Sequence, residues 1–171
     1  MLNTLIQYLS QIGSGNDRNA LIPVWQAKAA ARNTQALTSA GLVISATTTK
    51  TKTGASIFYA TAGGRLVTIA AGTDMPVLVG SVTNAKFNVF CFWVNAAGTT
   101  SVAMGTEGST LGAVKFPDFP VGSAHIGFVI INPTGTGPFV GGTTALGDVT
   151  VIPNAVYISP LGSFDPSILF S

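Results

Sequence analysis

The sequence predicts an all-β fold, an antiparallel β-sandwich or jelly roll, preceded by a helical N-terminal arm. From Leu42 onward, short runs of Val, Ile, Phe and Thr are separated by Gly, Pro and Asn residues, as in chains with many short strands. Of the 171 residues, 47% are hydrophobic and only 8% are charged, which argues against intrinsic disorder. Residues 1–41 have helical spacing instead. We therefore divide the chain into an arm over 1–41 and a β-domain over 42–171.

The arm begins with a short amphipathic segment. Its apolar residues recur at helical spacing: Leu2, Leu5, Ile6, Leu9 and Ile12. A glycine-containing linker follows at 13–17. Pro23 suits the first turn of a second helix, 25–32 contains strong helix formers, and Gly41 provides a stop.

A helix of about 12 residues is marginal by itself, so its apolar face needs a surface to pack on. Residues 1–52 also contain five basic residues and one acidic residue. The basic side chains would attract an acidic partner, and Trp25 is the best anchor, because aromatic residues dominate interface energetics. The candidate contact residues are Leu5, Ile6, Leu9, Ile12, Arg18, Trp25, Lys28 and Arg32. Alternatively, the arm covers an open face of its own β-domain.

Within the β-domain, turn residues separate ten candidate strands. Eight are predicted at 42–48, 55–60, 65–70, 77–82, 86–94, 99–104, 124–131 and 155–159, with weaker candidates at 139–141 and 149–152. The connections 62–64 and 95–98 are typical of β-hairpins.

The segment 86–94 is apolar on both faces, as expected of a central strand. One face carries Phe87, Val89, Cys91 and Trp93, and the other carries Phe90, Phe92 and Val94. We expect Trp93, Phe90 and Val129 in the core.

Few side chains could carry chemistry. Cys91 is the single cysteine, which rules out an intramolecular disulfide, and its apolar surroundings in sequence predict a buried, inert thiol. His125 is the single histidine, whereas a His/Cys metal site needs three or four ligands. The sequence has no Gly-x-Ser-x-Gly elbow and no Gly-Lys phosphate loop, and its six acidic residues are scattered. We therefore expect no enzyme, no cofactor and no metal site.

The net charge of +2 is too small to indicate a nucleic-acid-binding protein. Mean hydropathy is positive, at +0.50, but there is no run of about 18–20 apolar residues and no basic segment of the kind that begins a signal peptide. We expect a soluble protein of a reducing compartment, bound to neither nucleic acid nor membrane.

Low charge instead favours stable assembly, because uncharged surface costs less to desolvate at an interface. The loop 115–120 contains two aromatic residues, Phe116 and Phe119, beside two prolines. These rings either meet a partner or cap the end of the sandwich.

The run 86–94 (KFNVFCFWV) followed by 103–108 (AMGTEG), together with 126–137, 139–146 and 153–157, resembles small virion proteins of tailed bacteriophages. The likeness spans about residues 45–166. It implies a structural protein of the phage particle, made in the host cytoplasm: a capsid decoration (cement) protein or head fibre that binds the outside of the head. Its partners would be the major capsid protein or other virion proteins, and further copies of itself, a trimer being preferred because trimers suit local three-fold positions. The likeness has no functional motif from which site residues can be carried over.

Other functions stay open at this point. The protein could be a tail, baseplate or fibre-attachment protein, which would occur in a handful of copies per particle rather than hundreds. A carbohydrate-binding β-sandwich for adhesion would present exposed aromatic residues on one face. A hydrolase is the remaining alternative.

Overall fold

A computed structural model describes residues 34–164 of the chain, and these form an all-β fold of antiparallel sheets. This confirms the predicted class. The strands in this range are β1 Gln35–Ala36, β2 Val43–Ile44, β3 Thr51–Lys52, β4 Phe58–Ala62, β5 Arg65–Ile69, β6 Ser81–Val82, β7 Asn88–Val94, β8 Thr100–Met104, β9 Ala124–Ile131, β10 Phe139–Val140 and β11 Val156–Ile158. One turn of 3-10 helix covers Leu111–Ala113. The predicted helices of the arm, before residue 33, lie outside the described residues.

Within residues 34–164 the strands form four antiparallel sheets. The largest has the order β11-β9-β7-β8, and a three-stranded sheet has the order β1-β4-β5. Two further pairs, β10-β6 and β2-β3, complete the arrangement. Side chains of the two larger sheets share one core, in which Phe58 and Val67 of the smaller sheet join Phe90 and Val129 of the larger.

Strand β7 is the central strand that its two apolar faces predict, because all seven of its residues are buried. The side chains of Phe90, Phe92 and Val94 enter the shared core. Its odd-numbered side chains, Val89, Cys91 and Trp93, enter a second, smaller cluster on the opposite face. Trp93 is therefore buried as expected, but in a different cluster from Phe90, since successive side chains of a strand point to opposite faces.

Both predicted hairpins are present. Gly63 and Gly64 have φ of 55° and 78° and link β4 to β5, which matches the positive φ that a two-residue type I′ turn requires at both positions. In the connection from β7 to β8, the Asn95 side-chain oxygen accepts hydrogen bonds from the backbone N–H groups of Ala97 and Thr99. Local turn chemistry therefore fixes these two registers.

Several predicted boundaries are wrong. The segment 42–48 contains only β2, and 77–82 contains only β6, at its end. The segment 149–152 is a turn rather than a strand, because the backbone N–H and hydroxyl of Thr150 both donate to Asp148 Oδ1. Strands β1 and β3 were not predicted, since two-residue strands leave no periodic pattern to read.

Residues 34–41, assigned by sequence to the end of the arm, contribute to the β fold. Strand β1 pairs antiparallel with β4, with Gln35 opposite Thr61. Ala36 and Ala40 are buried in the shared core. This part of the chain is strand and loop rather than helix, because its backbone hydrogen-bonds to β4 and to Gly162.

Candidate interaction surface

The Cys91 thiol is fully buried in β7. Burial raises its pKa well above the ordinary value, since a thiolate would lose its hydration inside the apolar cluster. The thiol is therefore held in its protonated form, and a reactive cysteine needs the opposite setting, exposed and electropositive. The predicted burial of the Cys91 thiol is confirmed.

His125 lies on β9 opposite Trp93 and is 5% exposed. Its Nε2 atom is 3.3 Å from the Pro160 carbonyl oxygen, and its ring centre is 5.0 Å from that of Phe164. Burial lowers its pKa, and the contact with the Pro160 carbonyl partly offsets this. The imidazole is therefore neutral at pH 7 and packs among aromatic rings. Across residues 34–164, no three or more His, Cys, Asp or Glu side chains are grouped so as to hold a metal ion.

Phe116 and Phe119 are half-buried over the smaller cluster. The Phe116 ring packs edge-on against Phe128, with centres 5.2 Å apart, and the Phe119 ring lies 5.9 Å from Trp93. Phe164 contacts both loop rings and stacks on Phe128 at 5.4 Å. We call Trp93, Phe116, Phe119, Phe128 and Phe164 the aromatic cluster. The two loop rings thus cover their own domain, and a partner contact by them stays a prediction.

The other candidate contact residues lie outside the described residues. They are Leu5, Ile6, Leu9, Ile12, Arg18, Trp25, Lys28 and Arg32.

The outward face of the three-stranded sheet is apolar. In β4 and β5 the alternation of side chains buries Phe58, Ala60 and Val67 and turns Tyr59 and Leu66 outward. Ile57, just before β4, and Leu37, just after β1, are exposed on the same side. We call Leu37, Ile57, Tyr59 and Leu66 the apolar sheet face. Leu66 is the most exposed of the four, at 64%.

The apolar sheet face carries little charge. Arg65, at the start of β5, is the only charged residue in β1, β4 and β5. Thr61 and Thr68 add hydroxyl groups to the same face, since they alternate with the buried positions. Covering a face of aliphatic, phenolic and hydroxyl groups costs less than covering ionised side chains, because no full charge loses its hydration.

A second exposed apolar group lies beside β6 and β10. Val140 is opposite Ser81 in the β10–β6 pair, and Val77 and Val79 lie in the segment just before β6. All three valines are exposed, Val79 to 74%. This group is smaller than the apolar sheet face and consists of valine alone.

The sequence analysis did not single out either exposed group. The alternation in 58–62 would have revealed that Tyr59 and Leu66 point away from Phe58 and Ala60. Tyr59 is the only exposed aromatic residue between positions 34 and 164. The row of exposed rings that would favour the carbohydrate-binding alternative is therefore not present on the described surface.

No family model, curated protein or solved structure matches the chain. None of the helical segments in the described part of the chain is long and apolar enough to cross a membrane.

Proposed function

We propose that this protein is a structural component of a tailed-phage particle, and specifically a capsid decoration (cement) protein that binds the outer surface of the head. The observation that carries the proposal is the apolar sheet face on an almost uncharged exterior. Such a surface favours permanent assembly over transient encounter, because stable interfaces are depleted in charged residues. The sequence likeness to virion proteins supplies the kind of assembly.

The scarcity of charge extends over the whole described surface. Between residues 34 and 164 the charged residues are Lys50, Lys52, Arg65, Asp74, Lys86, Glu107, Lys115, Asp118 and Asp148. A domain of this size would ordinarily carry about a quarter of its residues as charges. In the proposal, the apolar sheet face contacts the major capsid protein, and the protein also associates with copies of itself.

The finer architecture belongs to the same proposal. We take the three-stranded and four-stranded sheets to be the two layers of a β-sandwich, supported by their shared core of Phe58, Val67, Phe90 and Val129. The N-terminal arm is proposed as a helical attachment device that reaches a sister subunit or the shell.

Copy number in purified particles tests the proposal most directly. Quantitative mass spectrometry of virions of the encoding phage should find hundreds of copies per particle, attached to the head. A handful of copies would favour the tail, baseplate or fibre-attachment alternative instead. Absence of the protein from particles would overturn the proposal.

Variants of the apolar sheet face test the surface itself. The double variant Ile57→Ser/Tyr59→Ser should bind heads assembled without the protein at least about tenfold more weakly, since central apolar side chains carry most interface energy. Val121→Ser is the matched control, because Val121 is a fully exposed apolar residue outside these strands. Equal binding by both variants and the wild type would contradict a role for this face.

A truncation tests the arm. Because Ala36 and Ala40 are buried, the cut belongs before Thr34 rather than at residue 40. A chain that begins at Thr34 should keep the urea midpoint of the β-domain and lose occupancy on particles. Wild-type occupancy would show that the arm is not the attachment device.

A further inference from the structure

The two edges of the three-stranded sheet differ. The β1 edge is closed, since the Ala36 N–H donates to the Gly162 carbonyl at 3.0 Å and the Gly162 N–H donates back to Ala36 at 2.8 Å. The opposite edge is β5, and no residue between 34 and 164 lies beside it as a paired strand.

Hydrogen bonding in β4 shows which groups of β5 are unpaired. The Tyr59 carbonyl accepts from Leu37 and its N–H donates to Thr38 Oγ1, so the backbone of Tyr59 faces β1. The alternate residue Ala60 therefore faces β5, where its partner is Val67. It follows that the N–H and carbonyl groups of Leu66 and Thr68 point away from β4, in the plane of the sheet. We call these the outward groups of β5.

This edge has few of the features that prevent strand pairing. Proteins usually protect an edge with lysine, proline, a bulge or a covering segment. Strand β5, Arg65–Ile69, has one charge at its first residue, no proline and no bulge in its pairing with β4. The Leu66 side chain beside the free groups is 64% exposed.

We propose that β5 is a self-association site, at which it pairs antiparallel with β5 of a second copy of this chain. With the two-fold axis at Val67, Leu66 of each copy lies opposite Thr68 of the other. All four outward N–H groups and all four outward carbonyls then face partners across the axis, which gives four backbone hydrogen bonds. The two sheets become one six-stranded sheet, and the two apolar sheet faces become continuous.

The charges of β5 fit this register. Arg65 of each copy lies opposite Ile69 of the other, so the two arginines are four strand positions apart. At about 3.3 Å per residue this is about 13 Å, beyond the screening length of about 8 Å at physiological salt. The second copy is therefore favoured as the occupant over a strand that would place a like charge beside Arg65.

A contact that uses the same edge in both copies closes with two chains. The inference therefore gives a dimer rather than the trimer that the sequence likeness implied. The proposed dimer is a property of the purified protein by itself, and it does not depend on the proposed capsid function.

Strand β8 offers a built-in comparison. The Gly105 N–H donates to the Val89 carbonyl, and the Asn95 N–H donates to the Thr99 carbonyl, so the odd-numbered residues of this edge face β7. The N–H of Thr100 therefore points away from β7, in the plane of the sheet. All five residues of β8 are half-buried, however, whereas three of the five in β5 are exposed. A threonine-to-proline substitution at Thr100 therefore removes an outward N–H from a less exposed edge, and it serves as a control for the same substitution at Thr68.

Sedimentation velocity of the full-length protein over a wide concentration range tests the proposal. The wild type should form a dimer, and Thr68→Val, which keeps the N–H, should form it too. Thr68→Pro removes one outward donor from each chain without touching the bonds to β4, and should weaken dimerisation roughly 10- to 100-fold. Thr100→Pro, the control at the other edge, should dimerise like the wild type.

A second variant keeps the test decisive if Thr68→Pro fails to fold. Leu66→Lys changes an exposed side chain and places two like charges near the axis, so its dimer should be weaker and should recover with added salt. The proposal is overturned by a monomeric or trimeric wild type, by wild-type dimerisation of a folded Thr68→Pro variant or of Leu66→Lys, or by loss of the dimer in Thr100→Pro alone.

Discussion

Strand β7 and the hairpin β4–β5 show two uses of the same strand-forming residues. All seven residues of β7 are buried, with one core on each side of the strand. The hairpin buries alternate residues and exposes the others, so that Tyr59 and Leu66 face outward. Apolar content alone therefore does not show which side chains of this protein are buried. An apolar residue in β7 stabilises the fold, whereas an apolar residue on the outer side of β4 or β5, such as Leu66, stays exposed.

The largest effect is expected from Phe90→Ala in β7. The Phe90 side chain is fully buried and packs edge-on against Phe139, with ring centres 5.8 Å apart. Its removal leaves a cavity in the shared core and should lower the free energy of unfolding by about 3–5 kcal/mol. Urea unfolding measures this, and Phe90→Leu should cost clearly less. An equal loss in both variants would show that the cavity is not the cause.

A smaller loss is expected from Phe164→Ala on the opposite face of the same sheet. Phe164 stacks on Phe128 and contacts the two loop rings, Phe116 and Phe119, but it is itself half-exposed. The free energy of unfolding should fall by roughly 1–3 kcal/mol, less than for Phe90. Near-ultraviolet circular dichroism should lose part of the aromatic signal. A loss as large as that of Phe90→Ala would mean that the two clusters are equally important for stability.

His125 adds a pH dependence to the aromatic cluster that the shared core lacks. Its folded pKa lies below the ordinary 6.5, so the unfolded chain binds the proton more readily. The free energy of unfolding should therefore decrease as pH falls through 6.5 and level off below the folded pKa. Urea unfolding at pH 7.5 and 5.5 should show this decrease in the wild type. The decrease should be reduced in His125→Gln. The same decrease in both proteins would contradict the assignment of the pH dependence to His125.

The smallest effect on stability is expected from Tyr59→Ser on the apolar sheet face. Tyr59 is 37% exposed and lies outside the core, so its truncation should lower the free energy of unfolding by about 1 kcal/mol or less. The difference in unfolding free energy between Tyr59→Ser and Phe90→Ala tests directly whether the outer side of the hairpin and strand β7 differ in burial. If Tyr59→Ser destabilises the isolated protein by several kcal/mol, its ring belongs to the fold rather than to an interface.

The sequence predicted the class of fold because local patterns encode it. The two-faced run at Asn88–Val94, the glycine pair at 63–64 and the Asn95 turn each depend on residues close together in the chain. The buried state of Cys91 followed from the same run. Short strands such as Gln35–Ala36 were missed, because two residues contain no period and their partners lie far away in the sequence.

The sequence by itself determined that the chain is β-rich, weakly charged and poor in chemically active side chains, since composition and short-range periodicity suffice for those conclusions. Only the tertiary structure decided which apolar residues are covered. Tyr59 and Phe58 are neighbours with similar rings, yet one is exposed and the other is buried in the shared core. The closed edge of β1 likewise depends on Gly162, more than a hundred residues from Ala36. No local pattern shows that β5 has only β4 as a paired neighbour within residues 34–164. Pairing between distant segments is set by the packing of whole sheets, which no local pattern contains.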